Sequence, residues 1–170
     1  MPHITASDGT HIHYEEQGQG RPLIMIHGWT FSARFFHRNI GPISRHVRVI
    51  TMDLRGHGKS AKPNHGYRIS RLAADLRDLL QALDLSDVTL LGWSLGCPVI
   101  WSYLELFGQE RVRDAIFVQQ TPRQYFSPEW MLGHAVCYDQ AGLTYLQPQL
   151  FLTATDFDKG NLAGCLHNPI

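Results

Sequence analysis

Short apolar runs alternating with amphipathic stretches predict an α/β fold, a mostly parallel sheet with helices on both faces. Three observations lead to it. Leu23 to Ile26 is a continuous apolar run, as in a strand buried on both sides, and Val88 to Leu91, apolar but for Thr89, reads as a further strand. Arg71 to Leu85 places Leu72, Leu76, Leu79, Leu80 and Leu83 at helical spacing, with Asp75, Arg77, Asp78 and Gln81 mainly on the other side. Strand-like and helix-like segments then follow one another in turn, the pattern of βαβ crossovers.

In chain order, Ile4, the turn Ser7-Asp8-Gly9-Thr10, and Ile12 with Tyr14 read as a β-hairpin, after which Gly18-Gln19-Gly20 breaks the chain. Leu23 to Ile26 is the first buried strand, Phe31 to Ile40 a short helix, and Val47 to Met52 the next strand. The helix from Arg71 to Leu85, the strand from Val88 to Leu91, the helix from Leu95 to Phe107 and the strand from Ala115 to Val118 complete the series. Beyond Thr121-Pro122 the strand signals stop. Ser127-Pro128-Glu129 is a helix-start pattern, because a Ser cap, a Pro in first position and an early acid suit unsatisfied N–H groups. The chain therefore divides into a sheet core, residues 1–122, and a partial helical cap or lid, residues 123–170.

The 170 residues are 44% hydrophobic and 18% charged, the make-up of a globular domain with a sizeable core. Fifteen basic residues balance fifteen acidic ones, so no net field implies nucleic acid or an anionic membrane as a partner. No apolar run approaches the roughly 18 residues of a membrane span, and no leader pattern opens the chain. A cytoplasmic location is expected. Cys97, Cys137 and Cys165 are odd in number and lack paired spacing, which fits reduced thiols, and Cys97 reads as a small buried side chain. Neither a metal nor another cofactor is expected, since no His, Cys or acid spacing suggests a ligand set.

Gly92-Trp93-Ser94-Leu95-Gly96 is a G-x-S-x-G sequence at the end of a buried strand and the start of a helix. A turn so tight strains the central backbone and brings its neighbours into collision, which is why both flanking positions are Gly. Ser94 is thus the candidate nucleophile, exposed above the sheet, and Leu95 at the helix N-terminus a candidate oxyanion donor through its N–H. Pro98 falls in the first helical turn, where its missing N–H has no helical partner to lose. A second donor must come from the loop after an earlier strand. His27-Gly28-Trp29 follows Leu23 to Ile26, and Gly28 lets the Trp29 N–H turn toward the same spot. His27 reads as a hydrogen-bonder that fixes this loop rather than as an acid or base.

Two other motifs are imitations. Gly58-Lys59-Ser60 resembles the end of a phosphate-binding loop, but the required first Gly falls on Asp53. Gly18-Gln19-Gly20 lacks the strand and helix that frame a dinucleotide fingerprint.

Together, Leu23-Ile24-Met25-Ile26-His27-Gly28-Trp29, Asp53-Leu54-Arg55-Gly56-His57-Gly58-Lys59-Ser60 and Gly92-Trp93-Ser94-Leu95-Gly96 resemble the α/β-hydrolase superfamily, nearest its serine esterase and cofactor-free haloperoxidase branch. The resemblance covers residues 1–122 and implies the N-terminal part of an α/β-hydrolase fold. It implies a serine hydrolase acting on a small ester or related acyl substrate. A Ser in the elbow disfavours the branches that attack through a carboxylate.

The family places its acid and its His after two further strands beyond the cap, which the chain does not reach. At the end of the strand near Val118, where many relatives have an Asp, the chain has Gln119-Gln120-Thr121-Pro122. Asp139, Asp156, Asp158, His134 and His167 are formal local alternatives, none of them behind an apolar strand that would aim it at Ser94. A truncated, catalytically silent fragment or binding remnant is therefore the alternative reading. Ala115 to Val118 would then stand as an open sheet edge, suited to an oligomer or a complementing chain.

Overall fold

The computed structural model describes residues 2–121, 128, 129 and 131. The chain divides into two compact units, Met1–Gln120 and Thr121–Ile170. In the first unit the elements are β1 (His3–Thr5), β2 (His11–Gln17), β3 (Pro22–Ile26), a 3₁₀ turn (Ala33–Phe36) running into α1 (His37–Ile43), β4 (Arg48–Met52), α2 (Ile69–Ala82), β5 (Val88–Trp93), α3 (Gly96–Phe107) and β6 (Val112–Val118).

The six strands form one sheet in the order β1-β2-β4-β3-β5-β6. The β1 and β2 hairpin is antiparallel, as is the pairing of β2 with β4, while β4, β3, β5 and β6 run parallel. Side chains alternate across the parallel strands because the strand repeat is two residues. Ile24, Ile26, Ile50, Met52, Val88 and Leu90 meet Leu72, Leu76, Leu79 and Leu80 of α2 and Val99, Ile100 and Tyr103 of α3 in one large core. Leu23, Met25 and Val49 point to the opposite face, where Phe36, Ile40 and Ile43 cover them. The α/β architecture with helices on both faces is the one the apolar runs predict.

Three local differences from the sequence reading have physical causes. The helix expected over Phe31 to Ile40 is a 3₁₀ turn followed by α1, with Ser32 extended at φ −146° and the Ala33 N–H bound to the Asp53 carboxylate at 2.7 Å. Asp75, expected on the solvent side of α2, is fully buried, because the Arg55 guanidinium meets it through Nε at 2.6 Å and Nη2 at 2.7 Å. Strand β6 begins three residues earlier than expected, its charged start pairing Asp114 with Thr89 of β5. Pro128, Glu129 and Met131 lie in turns, and the other residues of the expected cap are outside the described residues.

Gly18 ends β2 at φ +88°, and a side chain there would meet the Ser44 and Val47 carbonyls. On β6, Ile116, Phe117 and Val118 are each more than 40% exposed, an apolar run at one end of the strand order. Among the described residues no helix is long and apolar enough to cross a membrane.

Candidate functional site

Strands β3 and β5 are neighbours in parallel register, with Ile26 opposite Gly92, so the loops leaving their C-terminal ends emerge side by side. Ligands of open α/β sheets bind at such strand ends. The chain turns at Ser94 with φ +51°, a left-handed conformation that costs a non-glycine residue about 1–3 kcal/mol. Its N–H reaches across to the Val118 carbonyl of β6 at 3.0 Å, which anchors the bend.

The glycines flanking the bend are sterically required. A Cβ on Gly92 would lie 2.6 Å from the Gly96 carbonyl and 2.7 Å from the Cys97 nitrogen, and one on Gly96 would strike the Ile26 carbonyl. The helix can therefore start directly behind the serine. The Ser94 carbonyl accepts the Cys97 N–H at 2.9 Å and so points into α3. Across the trans peptide the Leu95 N–H must face the other way, out of the helix N-terminus. Among the described residues it donates to no backbone oxygen.

The loop after β3 is held by His27, which is fully buried. Its Nδ1–H donates to the Gly28 carbonyl at 2.7 Å and its Nε2 accepts the Leu54 N–H at 3.0 Å, which requires the neutral ring. Burial lowers its pKa from 6.5 to about 4, with the nearby His57 acting in the same direction and the Gly28 carbonyl and Asp53 opposing. The Gly28 carbonyl also accepts the Phe31 N–H at 3.3 Å, so the Trp29 N–H, on the opposite side of that trans peptide, points away from the His27 ring. Gly28 itself lies directly against the bend, since a Cβ there would stand 3.1 Å from the Ser94 Cβ.

Residues 53–60 close on themselves rather than around a phosphate. The buried Asp53 carboxylate accepts the Ala33 and Lys59 N–H groups at 2.7 and 2.8 Å and meets His13 Nδ1 at 3.1 Å. Ser60 Oγ donates to the Asp53 carbonyl at 2.6 Å and accepts the His13 N–H. Cys97 is a buried thiol whose pKa is raised by burial, which favours its neutral form.

Sequence reasoning missed an aromatic trio. Trp93 stacks on Phe35 with centroids 3.9 Å apart and planes within 3°, and Phe31 meets both rings edge-on at 4.9 and 5.3 Å. The four-residue spacing of Phe31 and Phe35 was the available signal. Trp29, Phe31 and Phe35 are each about 40% exposed or more.

Among the described residues, no imidazole or carboxylate is hydrogen-bonded to the Ser94 hydroxyl. Nor do three His, Cys, Asp or Glu side chains converge to hold a metal ion. Asp139, Asp156, Asp158, His134 and His167 lie outside the described residues.

Residues 21–158 match the family described as alpha/beta hydrolase fold. A non-heme haloperoxidase of Rhodococcus erythropolis is 38% identical over 123 residues, covering 72% of this chain and 45% of the relative. An esterase from Exiguobacterium antarcticum superposes with a TM-score of 0.66 at 37% identity, over 68% of this chain and 43% of that one. A bromoperoxidase from Bacillus anthracis superposes with a TM-score of 0.82 at 30% identity, over 92% and 56% respectively. The chain spans about half the length of the relatives it matches. It belongs to the α/β-hydrolase fold family.

Proposed function

We propose that the chain is the N-terminal part of a serine hydrolase acting on a small ester or related acyl compound, with Ser94 as the nucleophile. The observation that carries this reading is the left-handed Ser94, at φ +51° between β5 and α3, with Gly28 packed directly beside it. Ser94 attacks the acyl carbon, and the Leu95 and Trp29 amides hold the resulting oxyanion. Each donor is worth roughly 3–4 kcal/mol in the transition state. His27 and Gly28 orient the Trp29 amide, and Gly92 and Gly96 let the helix N-terminus stand behind Ser94. A base and its acid partner, outside the described residues, activate the hydroxyl and return the proton to the leaving group.

The second reading, a catalytically silent remnant, draws on the lack of any described imidazole or carboxylate bound to Ser94. Losing the base of a triad costs on the order of a millionfold in turnover. Hydrolysis of p-nitrophenyl acetate by the purified chain separates the two. Release of nitrophenolate that disappears in Ser94→Ala supports the serine hydrolase; equal rates for the chain and the variant establish the silent reading.

A further inference from the structure

The residue that follows β6 brings one more side chain to Trp93, the neighbour of Ser94. The Val118 carbonyl of β6 anchors the Ser94 bend, and the next residue, Gln119, turns into the left-handed region at φ +55°. In that conformation its Oε1 accepts the indole N–H of Trp93 at 2.8 Å. Trp93 is thereby held on three sides. Phe35 covers one face of the ring, Gln119 takes the Nε1 edge, and the Cε3 and Cζ3 edge lies 2.9 Å from where a Gly28 Cβ would be.

The torsion that turns an indole about its Cβ–Cγ bond is broad and roughly two-fold, so ring stacking alone leaves two orientations open. A donor-only N–H selects between them, because one orientation gives it an acceptor and the other does not. The Trp93 orientation then determines where Phe31 and Phe35 can pack. Those two rings border an open groove of about 820 Å³ whose rim is basic, with Arg34, His37 and Arg38. Flat π-faces favour a flat partner, and the cationic rim favours an anionic one.

We propose that Gln119 is a positioning residue that fixes Trp93, and through it the Phe31 and Phe35 wall, so that the groove prefers a flat aromatic carboxylate to a saturated-ring carboxylate of the same size. The ligand class is an aromatic carboxylate, and its binding in this groove does not depend on Ser94 acting as a nucleophile.

The test uses benzoate and cyclohexanecarboxylate, which match in charge and carbon number and differ in flatness. Both are titrated into the ¹⁵N-labelled chain while the Trp93 indole N–H resonance, assigned with Trp93→Phe, is followed. Benzoate is expected to move that resonance and to bind about fivefold tighter. Gln119→Leu removes the preference and speeds exchange of the indole proton with water, whereas Gln119→Glu, which keeps an acceptor, retains both. Equal binding of the two acids, or a preference and exchange rate unaltered by Gln119→Leu, overturns the proposal. Should Gln119→Leu not fold, Trp93→Phe replaces it, since it keeps a ring and removes the N–H; an undiminished benzoate preference then overturns the proposal. The titrations involve no turnover, so a missing Ser94-dependent hydrolysis defeats the hydrolase reading and a preference insensitive to Gln119 defeats this one.

Discussion

Gly28 and Ser94 touch across the ends of β3 and β5: a methyl group on Gly28 would stand 3.1 Å from the Ser94 Cβ and 2.9 Å from the Trp93 ring. Gly28→Ala therefore has to displace either the loop or the indole. Overpacking of this kind costs about 1–3 kcal/mol. On the proposed oxyanion role of the Trp29 amide, a shift of the loop lowers ester hydrolysis about 100-fold. Urea denaturation and turnover measured on the same variant check both effects, and wild-type turnover in Gly28→Ala would sink the oxyanion assignment.

The strain at Ser94 is testable without any substrate. Glycine enters the left-handed region freely and alanine does not. Ser94→Gly is expected to be more stable than Ser94→Ala by about 1 kcal/mol. Equal denaturation midpoints for the two variants would show that the bend stores no strain.

Acid sensitivity should trace to His27. Its folded pKa lies below its unfolded one, so the neutral ring's contribution is complete above about pH 6.5 and is lost as pH falls toward about 4. Over that window the chain loses on the order of 3 kcal/mol from this group. In His27→Gln the amide can span the Gly28 carbonyl and the Leu54 N–H without titrating. Stability measured from pH 7.5 to 4.5 is expected to fall less steeply in the variant; parallel curves would contradict the assignment.

The buried pair of Arg55 and Asp75 makes each charge dependent on the other. Both side chains are fully buried, and Asp75 also accepts Arg71 at 3.0 Å. Asp75→Asn leaves the Arg55 cation without its main counter-charge and is expected to cost about 3–5 kcal/mol. Replacing both, as Arg55→Met with Asp75→Leu, removes the stranded charge and should cost less than the single change. A double variant less stable than Asp75→Asn would indicate that lost packing, not the orphaned charge, dominates.

Much of the fold is local enough to read from residues in order. Leu23 to Ile26 is apolar at every position and Val88 to Leu91 at all but Thr89, and such runs suit strands covered on both faces. Gly92 and Gly96 could be assigned to a tight bend before any coordinates, because their spacing around Ser94 states the steric problem directly. The burial of Asp75 could not be foreseen, since its partner Arg55 is 20 residues away and belongs to a loop. For the same reason the 3₁₀ turn at Ala33 was read as regular helix: the carboxylate that captures its N–H is Asp53, from the end of another strand.

The site divides along the same line. Ser94, its flanking glycines, and the His27 loop are each set by neighbours a few residues away, so the sequence by itself determined which residues they are and what backbone they require. Whether Gly28 lies against Ser94, whether Gln119 holds Trp93, and which rings wall the groove were decided by the tertiary structure alone. Those contacts join chain ends brought together by β3, β5 and β6 pairing, and hydrogen bonding between strands leaves no periodic trace in the residues that it makes adjacent.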